Sequence, residues 1–420
     1  MNKVLVLAKH PLISGSTIML VGSFIASILN YISNLIMGRL LSIEDYGLLI
    51  SLTSFVMLFG TINNSLSHIF TRFFATHAAR EDSSGIKPIF LIGFKLVLIL
   101  SIVILLTLSF LTNFIANFLN INNNVYLFIM YISIVVAVVA TLPSGLLQGK
   151  MKFYLISITG VFPPIIKILF GVTLVILGYG VFGALIGFLL AVLIPTVIFY
   201  IYFMGLFKSQ KTKIFNKIKF LKELKSYGFT FVFASAGITF LSNTDVIFVR
   251  NLFDPLIAGQ YAALSLMGKA IFYVTSPISF VFFPLIAYKK EKKEKLVGTI
   301  LLAAITIILA SVTLSFVYFM FPRAVLSIFF PGEGYKVLAP YLGPFSLYIL
   351  LFSLVYLLNN FFLSIGRTGV YKITLVAFLL QIALFYIFHR SLFQIIGVLF
   401  IMSFFILIAL LIYYWKTRDK

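Results

Sequence analysis

Lys208-Ser-Gln-Lys-Thr-Lys-Ile-Phe-Asn-Lys-Ile-Lys-Phe-Leu-Lys-Glu-Leu-Lys225 is the most basic stretch of the chain, with seven lysines and one acid. About 200 mostly apolar residues lie on each side of it. A lysine in hydrocarbon costs roughly 2.5 kcal/mol or more, so this run belongs in water. Loops rich in Lys and Arg stay in the cytoplasm. The stretch is therefore expected to be a cytoplasmic linker over 208–225, between an N-terminal lobe (1–207) and a C-terminal lobe (226–420).

Composition agrees. Of 420 residues, 61% are hydrophobic and 10% charged, with a mean hydropathy of +1.13. Soluble domains carry about 25% charged residues, so the class is a polytopic membrane protein. The net charge of +21 would suggest nucleic acid in a soluble chain. Here the basic residues fall between apolar runs, so topology accounts for most of them and no nucleic-acid partner is expected. The chain has no cysteine, which excludes disulfides, thiol catalysis and thiolate metal sites. Its four histidines are scattered without metal-ligand spacing, so no metal and no cofactor is expected. The charge-free run from Pro11 to Gly38 is longer than the core of a signal peptide, about 7–15 residues, and is expected to be an uncleaved first span.

Runs near 20 residues cross about 30 Å of hydrocarbon at about 1.5 Å per residue. They predict spans 1 to 6 at 16–38, 46–67, 88–111, 125–147, 154–177 and 181–207. Spans 7 to 12 follow at 226–249, 259–288, 296–320, 338–363, 373–388 and 391–415. The loop 112–124 has six asparagines, which suit turns, and 321–337 is expected to be a second outer loop. With both termini cytoplasmic, 24 Lys and Arg fall inside, 5 outside and 3 within spans. The fold class is thus an all-α bundle of twelve transmembrane helices in two six-helix lobes. Both halves begin on the same side, which suggests a parallel duplication about a pseudo-two-fold axis along the membrane normal. Ser42 and Gly47 echo Asp254 and Gly259, and Gly149-Lys150 with Tyr154 echoes Gly366-Arg367 with Tyr371. Each pair is separated by about half the chain.

Ionisable residues inside spans usually face a cavity or a partner. Lys167 and Lys269 lie deep, and both are expected to face a hydrated central cavity. Lys95 lies nearer the cytoplasmic end, within reach of the interface by snorkelling. Asp245 lies one turn from the outer end of span 7, where Arg250 or solvent could pair with it. Pro163-Pro164 before Lys167 should interrupt regular helix hydrogen bonding. Arg39 and Arg250 stand at outer span ends, so cations outnumber acids and an anion would be attracted. Asn30 and Asn34 share one face of span 1, and Asn63 lies in span 2; interhelical hydrogen bonding or a polar lining would use them. The candidate substrate-binding set is Lys167, Lys269, Lys95, Arg39, Arg250, Asp245, Asn30, Asn34 and Asn63. Gly183-Ala-Leu-Ile-Gly187 has a spacing that permits close helix packing.

Enzyme chemistry finds no support. Gly145-Leu-Leu-Gln-Gly-Lys150 is too short for a P-loop, and no paired carboxylates suit glycosyl transfer. No expected outer loop exceeds 17 residues.

Several stretches resemble the polysaccharide exporter branch of the multidrug/oligosaccharidyl-lipid/polysaccharide (MOP) flippase superfamily. They are Gly38-Arg-Leu-Leu-Ser-Ile-Glu-Asp-Tyr-Gly-Leu-Leu49, Asn243-Thr-Asp-Val-Ile-Phe-Val-Arg250 and Ala258-Gly-Gln-Tyr-Ala-Ala263. Leu147-Gln-Gly-Lys-Met-Lys-Phe153 and Gly178-Tyr-Gly-Val-Phe-Gly-Ala184 match its turns between spans 4 and 5 and between spans 5 and 6. The resemblance implies a flippase, and not an enzyme, for an undecaprenyl-pyrophosphate-linked oligosaccharide of the O-antigen or capsule type. It implies a central cavity lined by spans 1, 2, 7 and 8, and a multi-pass protein of the bacterial cytoplasmic membrane. Expected partners are the lipid-linked substrate, membrane lipids and other polysaccharide-assembly proteins, with the chain itself a monomer. Coupling to protons or sodium stays open. A drug/cation antiporter of the superfamily competes, although drug exporters often carry acids in their first lobe and spans 1–6 have none. A membrane glycan polymerase or ligase comes third.

Overall fold

A computed structural model describes residues 11–79, 85–207, 232–233, 235–291 and 297–417 of the chain. The linker 208–225 and most of the lysine cluster after span 8 lie outside them. Each expected span has a helical counterpart among the described residues. Span 1 is Pro11–Leu40, span 3 Ile86–Phe110, span 4 Asn124–Gly149 and span 6 Gly180–Phe207. Spans 8, 9 and 10 are Pro255–Glu291, Val297–Met320 and Ala339–Ser364, and spans 11 and 12 are Tyr371–Ile387 and Leu392–Thr417.

Three spans are interrupted. Span 2 is two helices, Ile43–Leu58 and Gly60–Ala79. Span 7 is helical over 235–241, stops at Ser242-Asn243, and restarts as Thr244–Leu252. Span 5 runs as Phe153–Ile166 straight through Pro163 and Pro164, then winds into π-turns at Lys167–Val172 and Val175–Tyr179. The prolines therefore do not break the helix where they stand. They remove two backbone donors, and wider turns take up the altered hydrogen-bond register just beyond them. The chain then reverses at Gly178 (φ 90°) and Gly180 (φ 51°), values that favour glycine.

The two loops 112–124 and 321–337 are more ordered than their composition suggested. Residues Thr112–Phe118 form a short helix, and all the asparagines but Asn113 lie at its end and in the turn that follows. Between spans 9 and 10 lie helix Pro322–Phe329 and a 3-10 turn, Glu333–Leu338.

Contacts group the described chain into two compact units. One comprises 1–33 and 59–232, the other 34–58 and 233–420. Span 1 and the first helix of span 2 are therefore divided differently from a simple cut at the lysine linker. One boundary falls inside the span 1 helix, and the other falls where the two helices of span 2 meet.

Within the first unit, spans 2 and 4 pack closely because Gly145 and Gly149 leave room for Phe70 and Phe74. Phe90 adds aromatic contacts to Tyr200 at 5.6 Å and Phe207 at 5.1 Å. Within the second unit, the Tyr318 hydroxyl donates to the Met267 carbonyl at 2.8 Å, and Thr275 bonds Ser353 at 3.0 Å. Gly47 packs against Gly259, where an added Cβ on Gly47 would lie 2.6 Å from the Gly259 Cα. The outward faces carry large apolar side chains such as Ile99, Leu106, Leu309 and Phe405, as a lipid-facing surface requires.

Candidate functional site

In the second unit, the break in span 7 positions the key acid. Asn243 donates to the Thr239 carbonyl at 2.9 Å, the Ser242 hydroxyl to the same carbonyl at 3.0 Å, and Thr244 to Phe240 at 2.8 Å. These short polar side chains compete with the regular ladder, so one helix ends and another begins. Asp245 consequently sits in the first turn of Thr244–Leu252, and its Oδ1 is buried with no hydrogen-bond partner. It is 1% exposed. The Tyr261 hydroxyl donates to Asp245 Oδ2 at 2.9 Å. Tyr261 is itself fully buried, edge-on to Phe345 at 5.9 Å, and Tyr348 also feels the Asp245 charge.

Lys269 follows Tyr261 by about two turns on the same helix and attracts Asp245 electrostatically. It is half-buried. Asp245 is therefore neither solvated nor held by Arg250: its surroundings are Tyr261, Tyr348 and Lys269. Arg250 is buried and is attracted by Glu44 and Asp45, which open the first helix of span 2. Arg39 donates through Nε to the Phe329 carbonyl at 2.9 Å and through a terminal nitrogen to Ile328. Its guanidinium thus satisfies the last carbonyls of helix Pro322–Phe329, where a cation also suits the helix dipole.

In the first unit, Lys167 begins the first π-turn of span 5 and is 7% exposed. Its ammonium lies 6.0 Å from the centre of the Phe188 ring. Phe188 belongs to span 6, which approaches closely because Gly187 sits against Gly171, as the glycine spacing anticipated. Lys167 is thus packed in protein, not opened onto water. Lys95 is exposed on span 3. Asn30 donates to the Ala26 carbonyl at 3.0 Å, and Asn30 and Asn63 are half-buried.

The nine candidates divide between the units. Lys167, Lys95, Asn30 and Asn63 belong to the first, and Asp245, Lys269, Arg250, Arg39 and Asn34 to the second. Of the nine, Asp245 and Lys269 interact electrostatically, without a direct ion-pair contact between them. Tyr261 and Tyr348 were missed, since nothing in the sequence links them to an acid across a helix break. Among the described residues, no three His, Cys, Asp or Glu side chains gather as metal ligands.

The polysaccharide biosynthesis protein family matches residues 12–288. No curated protein matches the chain. An inward-facing multidrug resistance MATE transporter of the MOP superfamily has a similar structure, with TM-score 0.70 and 16% identity over 94% of each chain. The lipid II flippase MurJ in an inward closed conformation gives TM-score 0.71 and 16% identity, covering 95% of this chain and 87% of its own. A MOP superfamily transporter from Pyrococcus furiosus, described as having a binding pocket of reverse polarity, gives 0.61 and 15% over 97% and 96%. With a family match across most of its length and this helical architecture throughout, the chain belongs to the polysaccharide biosynthesis protein family and has the MOP superfamily transporter fold.

Proposed function

We propose that the protein is a transporter, not an enzyme, that flips an undecaprenyl-pyrophosphate-linked oligosaccharide, an O-antigen or capsule repeat unit, from the cytoplasmic to the outer leaflet by alternating access. It would act in the bacterial cytoplasmic membrane with both termini inside. The observation that carries this reading is Lys167, a buried ammonium deep in an apolar span of a polysaccharide-family chain. A diphosphate that crosses the membrane is an anion, and a cation held within a span attracts it electrostatically. The similarity to a lipid II flippase supports a lipid-linked cargo.

The test has two arms. Mass spectrometry of lipids that co-purify with the chain should find a lipid-linked glycan. Lys167→Gln should cut glycan export at least about tenfold at normal protein level, and Lys167→Arg should keep part of it, since the charge survives in a different geometry. Full export by Lys167→Gln at normal protein level refutes the assignment. A drug/cation antiporter is favoured by one observation, the buried Asp245. In that case Asp245→Asn would abolish drug efflux and no glycan lipid would co-purify.

A further inference from the structure

The described part of the first unit holds cations and no acid. Residues 11–33, 59–79 and 85–207 include Arg72, Lys87, Lys95, Lys150, Lys152 and Lys167, and not one Asp or Glu. This part of the chain therefore supplies no carboxylate to balance them.

Among these cations Lys95 has an unusual position. On span 3 it interrupts a row of exposed apolar residues, Leu91, Leu98, Ile102 and Leu106, a surface of the kind that faces lipid. A charge on such a face is costly unless an anion or the membrane interface meets it. Lys87, in the first turn of the same helix, stands eight residues earlier, about 12 Å along the axis. At 3.6 residues per turn, Lys87, Leu91, Phe94, Lys95 and Leu98 fall within an arc of about 100°. Helix side chains lean toward the helix N-terminus, so Lys95 leans toward the end at which Lys87 stands.

Phe94 leads from this face into a groove of about 630 Å³ among spans 3, 4 and 6. Val139, Val197, Tyr200, Ile201 and Met204 also line it, and its outer wall is open, with Val197 45% and Ile201 69% exposed. Both hydroxyl groups in the lining already donate within the protein, Tyr200 to the Val139 carbonyl at 2.9 Å and Thr196 to Val192 at 2.7 Å. What remains is an apolar slot suited to a hydrocarbon chain. A slot of this kind beside two lysines on one helix face, in a unit without acids, matches a lipid with an anionic head.

We propose that this surface binds one anionic phospholipid of the cytoplasmic leaflet, with its phosphate at Lys87 and Lys95 and a hydrocarbon chain in the groove. This rests on the orientation proposed above. Native mass spectrometry of the full chain tests it, after incubation with vesicles of phosphatidylglycerol or of phosphatidylcholine. The wild type should retain one phosphatidylglycerol and far less phosphatidylcholine. A lysine near an anionic head strengthens binding about fivefold, so Lys95→Gln should weaken retention about fivefold, and Lys87→Gln with Lys95→Gln about thirtyfold. Lys152→Gln, which removes an exposed cation at the turn between spans 4 and 5, should change nothing. Val197→Trp should lower retention by filling the groove while leaving the charge intact, and Met204→Trp serves if it fails to accumulate.

Equal retention of phosphatidylcholine overturns the proposal. So does unchanged retention in the double glutamine variant or in an accumulating tryptophan variant, or an equal loss in Lys152→Gln. A lipid-linked glycan or a second copy of the chain on the wild type, in place of the phospholipid, also overturns it. Retention is read without transport, so its failure leaves the flippase reading standing, and loss of export leaves this one standing.

Discussion

Tyr261→Phe removes one oxygen and tests the polar centre of the second unit. The hydroxyl donates to Asp245 at 2.9 Å, and the two residues are 0% and 1% exposed. No cavity larger than a hydroxyl is left, so the packing contribution is small. A hydrogen bond to a charged group is worth about 1.5–3 kcal/mol, and the abandoned acceptor stays buried. Interhelical hydrogen bonds inside membranes average only about 0.6 kcal/mol, with a maximum near 1.7, because the unfolded chain in the bilayer finds other partners. Full burial and the carboxylate acceptor place this one at the upper end. The expected loss is about 2 kcal/mol. Combining it with Asp245→Asn in a double-mutant cycle should give a coupling of about 1–2 kcal/mol, since an asparagine oxygen still accepts but carries no charge. Equilibrium unfolding in mixed micelles, followed by circular dichroism, measures both quantities. A Tyr261→Phe variant within about 0.3 kcal/mol of wild type, or an additive cycle, would refute the assignment of Tyr261 as the anchor of Asp245.

Two other outcomes can be checked directly. Gly187→Leu should prevent spans 5 and 6 from closing, because even a Cβ at that position would lie 2.5 Å from the Gly171 nitrogen and backbone cannot step aside. Overpacking of this kind costs about 1–3 kcal/mol or more, so the variant should lose its monodisperse peak on size exclusion while Gly187→Ala is milder; normal yield for the leucine variant would contradict the close approach. For the orientation, Asn122→Cys and Asp254→Cys, both at exposed positions, should react with an impermeant thiol reagent from outside intact cells, and Lys152→Cys should react only after lysis. The native chain has no cysteine to confuse the result, and reversed labelling would invert the topology.

The sequence by itself was enough for the spans, because crossing hydrocarbon demands about 20 apolar residues and charges at the boundaries are too costly to hide. Each expected span has a helix, and even the close contact at Gly187 was legible in a glycine spacing. The depth of Lys167 could also be counted along the chain. Its burial could not, since that depends on which face of span 5 the π-turns present to Phe188.

Partners across space were decided only by tertiary structure. Asp245 had a near neighbour in sequence, Arg250, yet the helix restarting at Thr244 directs the acid toward Tyr261 and leaves Arg250 to Glu44 and Asp45. Arg39, expected at the outer end of span 1 as a substrate-binding cation, holds the end of a helix 290 residues away. The assignment of 34–58 to the second unit likewise follows from packing, not from chain order. Hydrophobicity along a chain determines where it enters and leaves the membrane. Which polar groups then meet depends on helix rotation, breaks and crossings, and these are determined by contacts between segments far apart in sequence.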